Sequence, residues 1–372
     1  MKPCLSIVAA VLVAAACAQK SSVQLLDPCA FETEVDGRQT ALYTISNGDI
    51  ILQATNYGGR VASLFVPASD GTFHDVVLGH EDIDSYVHYK KERFLGACVG
   101  PVANRICNAT FTVDGVTYNL EKSHGGVGTL HGGFKGLDSV VWDVAEKTDT
   151  SVTFHYLHAD GEGGFPGNLS IFMTYAVTPD RCWTISYRAT TDKTTPVNIS
   201  NHPYFNFTGG DSTVEDYTMY INASAITGIG DFEVLDPPID ISGTPMDYRT
   251  PHQIRSALES DYDQIVIGKG FDHNYCITLS DSTLTLDAVV CDPVSGISME
   301  VLSDQPGLQV YSAQYFTGEE PGKYGTTLNY HGSITFETQN WPDAPNKPSF
   351  PDPYLKPGQE YSHTCVYRFS NR

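Results

Sequence analysis

The sequence predicts an all-β fold, a large antiparallel β-sandwich, from three observations. Apolar and polar residues alternate with a period of two in stretch after stretch, as strands do when one face lies on a core. Turn formers gather between those stretches, drawn from 33 Gly and 21 Pro in 372 residues together with Asn and Asp. No strand-helix-strand rhythm is present, which argues against a parallel α/β sheet. The length admits one or two domains. With no repeat, charge block or low-complexity linker to mark a boundary, one domain over 19–372 is expected.

The first element is a targeting segment. MKPCLSIVAAVLVAAACAQ sets Lys2 before an apolar run from Leu5 to Ala16, then the small-x-small site Ala16-Cys17-Ala18 ahead of Gln19. This is the pattern of a secretory signal peptide over residues 1–18, with a lipid-modified Cys17 as the alternative. The run is too short to span a bilayer comfortably, and no later stretch approaches the ~20 apolar residues that spanning needs. The mature chain is therefore expected to be secreted and free of membrane. Glycosylation acceptors at Asn108, Asn168, Asn198, Asn206 and Asn222 agree with that route. Removal of Cys4 and Cys17 leaves Cys29, Cys98, Cys107, Cys182, Cys276, Cys291 and Cys365. That odd, sparse set fits buried free thiols at least as well as a disulfide framework.

The strands follow in order. SVTFHYLHA at 151–159 places Val152, Phe154 and Tyr156 on one side, and LSIFMTYAV at 169–177 alternates likewise. CWTISYRA at 182–189 groups Trp183, Ile185 and Tyr187. VNISNHPYFNF at 197–207 reads as a half-buried strand in which Pro203, lacking an amide donor, holds His202 on extended backbone where strand gives way to loop. Such positions often carry functional side chains. YTMYINA, TLTLDAVV, ISMEVLSD, LQVYSAQYF and SITFETQ continue the pattern, and one short helix is expected near 251–258.

Charge narrows the partners. With 22 Lys and Arg against 44 Asp and Glu, a net charge of -22 opposes nucleic acid and anionic lipid and favours an uncharged ligand. In SITFETQ, Glu337 shares a face with Thr335 and Gln339, a polar face either washed by solvent or lining a cleft. LHGGF at 130–134 sets His131 beside two glycines that permit close approach of backbone or ligand. In FDHNY at 271–275, Asp272 and His273 point to opposite faces, so only one reaches a given pocket. Gln309 and Tyr311 share a face, an amide beside an aromatic ring, which suits a sugar site and an ordinary sheet surface alike. His131, His202 and Asp272 lack short metal-ligand spacing, and there is no phosphate loop or nucleophile elbow, so no metal or nucleotide is expected.

In order, GPVANRI at 100–106, TLHGGFKGLDSVVW at 129–142, GEGGFPGNL at 161–169, SNHPYFNF at 200–207, GFDHNY at 270–275, QPGLQVYS at 305–312, FETQNWPDAPN at 336–346 and the tail FPDPYLKPGQEYSH resemble the aldose 1-epimerase (mutarotase) family over nearly the whole mature chain. The resemblance implies a galactose mutarotase-like sandwich with an open sugar cleft, a monosaccharide substrate and no cofactor. It implies His202 as the acid toward the ring oxygen and Glu337 as the base toward the anomeric hydroxyl. A negative neighbour would help to hold that imidazole protonated. It further implies Asn104, Arg105, His131, Tyr204, Asp272 and Gln309 as groups on sugar hydroxyls or developing charge, to which Tyr311 is added for its shared face with Gln309. Pro101 stands where the family usually has arginine, and Pro203 where it has Ser or Thr. A glycoside hydrolase and a non-catalytic sugar-binding protein are the rival readings.

Overall fold

The computed structural model describes residues 23–88, 91–210, 212–230 and 232–372, so the expected leader over 1–18 lies outside the described residues. Six of the alternating stretches lie in one nine-stranded sheet, whose order is Asp143–Lys147, Ser151–His158, Leu169–Thr178, Cys182–Thr191, Tyr361–Asn371, Ile297–Ser303, Thr285–Cys291, Thr218–Ile221 and His252–Gln253. Each neighbouring pair is antiparallel. A five-stranded sheet runs Ile239–Asp240, Ala223–Thr227, Asp272–Ile277, Gly307–Tyr311 and Thr335–Gln339. A four-stranded sheet joins Leu42–Ser46, Ile51–Thr55, Arg60–Pro67 and Phe73–Asp75.

One hydrophobic cluster binds the three sheets. Trp183, Ile185 and Tyr187 of the large sheet belong to it with Leu308, Val310 and Phe336 of the five-stranded sheet and Leu52 and Leu64 of the third. Each such side chain contributes on the order of 1.5–3 kcal/mol by leaving water. The Tyr367 hydroxyl also donates to the Phe336 carbonyl at 2.7 Å, which fixes the spacing between two sheets.

Register decides what the far face carries. Asn274 lies opposite Gln309 and Gln309 opposite Glu337, while Asp272 faces Tyr311 and Tyr311 faces Thr335. Directly opposed residues point the same way. Asp272, Gln309, Tyr311 and Glu337 therefore share one face, with Val310 and Phe336 turned to the core.

Some expectations needed correction. LQVYSAQYF ends as a strand at Tyr311, and within 197–207 only Ser200–Asn201 is a strand, paired with Cys98–Val99, while Asn198 and Phe205 make isolated bridges. Strands Ile51–Thr55 and Arg60–Pro67 are buried on both faces almost throughout, so they carry no alternation to read. The helix near 251–258 is Arg255–Leu258, and Ile83–His88 and Asp263–Gly268 are helical as well. Six residues make fewer than two turns, too few to display a helical period. All seven remaining cysteines are free thiols, with Cys98 and Cys365 buried. Among the described residues no helix is long and apolar enough to cross a membrane.

Candidate active site

The polar face of the five-stranded sheet forms part of an open cavity of about 850 Å³. Glu337 is 2% exposed, so its face lines a cleft and is not washed by solvent. His202 reaches the same cavity from the segment after Ser200–Asn201, where its amide donates to the Ala97 carbonyl at 2.8 Å and Phe205 exchanges backbone bonds with Ile334 at 2.8 and 3.0 Å. Those bonds hang His202 beside the Glu337 strand. Its Nε2 lies 3.4 Å from Glu337 Oε1.

A second group lies alongside. Arg105 Nη2 donates to Asp272 Oδ2 at 2.7 Å, and Gln309 Nε2 donates to Asp272 Oδ1 at 2.7 Å. Asn104 Oδ1 accepts from the Arg105 amide at 2.9 Å and from its Nη1 at 3.1 Å, so Asn104 aims the guanidinium. Gln309 Oε1 and Glu337 Oε2 are buried with no protein partner. A polyhydroxylated ligand can satisfy both, at the cost otherwise of ~1–3 kcal/mol for each orphaned group. Asp272 lines the cavity and His273 does not, as strand alternation requires. Tyr311 lines it beside Gln309, and the buried Tyr204 lines it as well. The Tyr204 ring stacks on His202 at 4.8 Å and 27°, and its hydroxyl is hydrogen-bonded to Glu92.

Burial governs the proton affinities. It pushes the Glu337 carboxyl well above the usual carboxylate range, with the Asp272 charge adding to the effect. It lowers the His202 imidazole to about 4. The negative neighbour expected to keep His202 protonated is present in Asp272, but desolvation outweighs it. Burial also works to raise Asp272, yet the Arg105 guanidinium prevails and holds that carboxyl below its ordinary value. The site thus sets a fixed carboxylate beside a buried carboxyl and imidazole that approach each other to 3.4 Å.

His131, His202 and Glu337 offer ligand atoms within 4.8 Å of one another, a metal-like grouping that linear spacing concealed. The hydrogen bonds speak against metal. His131 Nδ1 accepts the Asn104 amide N–H at 3.1 Å, which leaves the ring proton on Nε2. A metal at Nε2 would have to displace that proton onto a nitrogen already facing a donor. His131 is instead set to donate to a ligand oxygen.

Sequence reading missed Glu92, Arg93 and Phe94, all of which line the cavity. They lie in a turn with no periodicity, and no local signal marks them. Glu92 is half-buried by surface area but lies within a concave wall. Burial raises its carboxyl to about 7, against the Tyr204 hydrogen bond and the Arg93 charge.

A sandwich cleft whose floor couples a buried carboxyl to an imidazole, beside a carboxylate, guanidinium and amide cluster, defines an acid-base site for a polar, uncharged ligand. The comparisons agree with that class. The aldose 1-epimerase family profile matches residues 41–368, and the chain belongs to that family. It is similar to galactose mutarotase of Bos taurus, 36% identical over 332 residues that cover 88% of this chain and 93% of the relative. Against aldose 1-epimerase of Escherichia coli K12 it is 33% identical over 338 residues, 90% of this chain and 96% of the relative. The crystal structure of a GalM/aldose epimerase homologue from C. elegans superimposes with a TM-score of 0.82 at 27% identity, covering 89% and 99% of the two chains.

Proposed function

We propose that this protein interconverts the α and β anomers of free hexoses such as glucose and galactose, with Glu337 and His202 as the proton-transfer pair. The observation that carries this reading is the 3.4 Å approach of His202 Nε2 to Glu337 Oε1 on the floor of an open cavity. Opening a cyclic hemiacetal requires one proton off the anomeric hydroxyl and one onto the ring oxygen. Two neighbouring acid-base groups that share a single proton supply both. Burial favours a protonated Glu337 beside a neutral His202. The reactive carboxylate-imidazolium form holds the same number of protons, so moving one proton within the pair reaches it.

Glu337 then accepts the anomeric hydroxyl proton while His202 donates to the ring oxygen. The bond between C1 and the ring oxygen breaks, and C1 becomes an aldehyde. Rotation about the C1–C2 bond presents the other face. The ring hydroxyl attacks C1, His202 takes its proton back and Glu337 returns the other, which closes the opposite anomer. Asp272, Arg105, Gln309 and Asn104 hold hydroxyls, His131 donates from Nε2, and Tyr204 backs the imidazole with its ring. Tyr311 walls the cleft. Following the optical rotation of freshly dissolved α-glucose and α-galactose tests the reading. Accelerated decay to equilibrium is expected; decay at the buffer rate overturns it.

The chain is further read as an exported single domain over 19–372, freed of a signal peptide at 1–18 and glycosylated. The apolar leader supports export, and the exposure of Asn108 and Asn168 suits glycan attachment. Intact mass of secreted protein checks this reading, with a start near Gln19 expected and a retained leader counting against it.

A further inference from the structure

Arg93 lines the same cavity as the acid-base pair and is held by several contacts. Its Nη2 donates to the Gly133 carbonyl at 2.5 Å and its Nη1 to the Phe134 carbonyl. Its Nε lies 3.4 Å from Asp138 Oδ2, a carboxylate at 0% exposure. The guanidinium also lies over the Phe94 ring, 4.7 Å from its centroid. That ring meets His131 edge-on at 4.6 Å and stacks beside His202 at 5.9 Å and 24°.

The turn that Arg93 grips is strained. His131 has φ +49, Gly132 +87 and Gly133 +113, a run of left-handed residues that begins on a side chain that disfavours it. A Cβ on Gly132 would lie 2.0 Å from the Gly100 carbonyl oxygen and 2.9 Å from Pro101 Cδ. Such a backbone persists only where its surroundings over-determine it. One side is held by Asn104, whose carbonyl accepts the His131 amide at 3.0 Å and whose amide donates to His131 Nδ1 at 3.1 Å. Arg93 holds the other.

We propose that Arg93 is a positioning residue for sugar binding: it locks the His131 turn and the Phe94 wall in place. Its planar fork engages two carbonyls and a carboxylate at once, which a lysine cannot reproduce. The proposal rests on the sugar-binding reading of the cleft.

Calorimetric galactose binding and steady-state mutarotation of purified protein test it together. Arg93→Gln should weaken galactose binding and raise KM by about tenfold to 100-fold, with a smaller change in kcat, because a hydrogen bond from a charged group that holds the binding turn is worth roughly that factor in an equilibrium. Arg93→Lys should fall between Gln and wild type. Kd and KM within twofold of wild type in Arg93→Gln overturn the proposal, as does a loss in kcat alone. Should the Gln variant not fold, Arg93→Lys decides, and wild-type affinity there overturns it. Wild-type protein that neither binds galactose nor speeds mutarotation removes the functional reading itself, an outcome separate from failure of the Arg93 assignment.

Discussion

Replacing Glu337 by Gln removes one proton-accepting oxygen and little else. The side chain is 2% exposed and its strand is bonded on one side to Gly307–Tyr311, so an amide of the same shape keeps the packing. The cavity already disfavours the carboxylate, since burial lifts its proton affinity far above normal. Taking away an ionisable group there leaves the unfolding temperature unchanged or higher. The rate responds in the opposite sense. Positioned proton transfer contributes about 100-fold to 10,000-fold, or ~2.7–5.4 kcal/mol of barrier. Glu337→Gln should therefore lower the turnover number by that factor at saturating galactose, read by polarimetry. His202→Asn should match it. The double variant should lose much less than the product of the two, because a lone partner has no proton to exchange. If Glu337→Gln keeps more than about a tenth of the wild-type rate, the base is another residue and the mechanism falls.

Chelation with EDTA should leave the rate unchanged, because the Asn104 amide keeps the His131 proton on Nε2; activity lost to chelator and restored by zinc refutes that. Asn206 is 0% exposed, with its amide nitrogen bonded to the Ser212 and Gly332 carbonyls at 2.8 and 2.7 Å. Asn198, 2% exposed, donates to Ala103 and Asn340. Both sequons should be bare in glycopeptide analysis, and an occupied Asn206 in active protein contradicts the fold. Glu92, raised by burial from 4.5 to about 7, contributes stability that is full below pH ~4.5 and lost as pH climbs through 7. Relative to wild type, Glu92→Gln should thus be more stable at pH 8 than at pH 5, by up to about 3 kcal/mol in urea titrations; a gap that does not change with pH refutes the buried carboxyl.

Period-two alternation in the sequence by itself determined six of the nine strands of the large sheet, where one face lies on the core and the other turns outward, but it missed Asp143–Lys147, Tyr361–Asn371 and the short His252–Gln253, which falls inside the segment expected as helix. CWTISYRA became Cys182–Thr191 with Trp183, Ile185 and Tyr187 inside. Alternation also placed Gln309 with Tyr311 and turned Asp272 away from His273, since side-chain direction along a strand is a local property. Pro203 marked His202 as extended for the same local reason. What lay beyond reach was everything set by contacts distant in sequence. The strands of the four-stranded sheet, buried on both faces, show no period, and Glu92, Arg93 and Phe94 sit in a turn with no pattern at all. Only the tertiary structure put His131, His202 and Glu337 within 4.8 Å, because the segments that carry them meet through pairing between residues far apart in the chain. It also reversed the expected charge of His202. Proton affinity in a site depends on how much water the fold excludes, and that quantity is fixed by packing, not by neighbours in sequence.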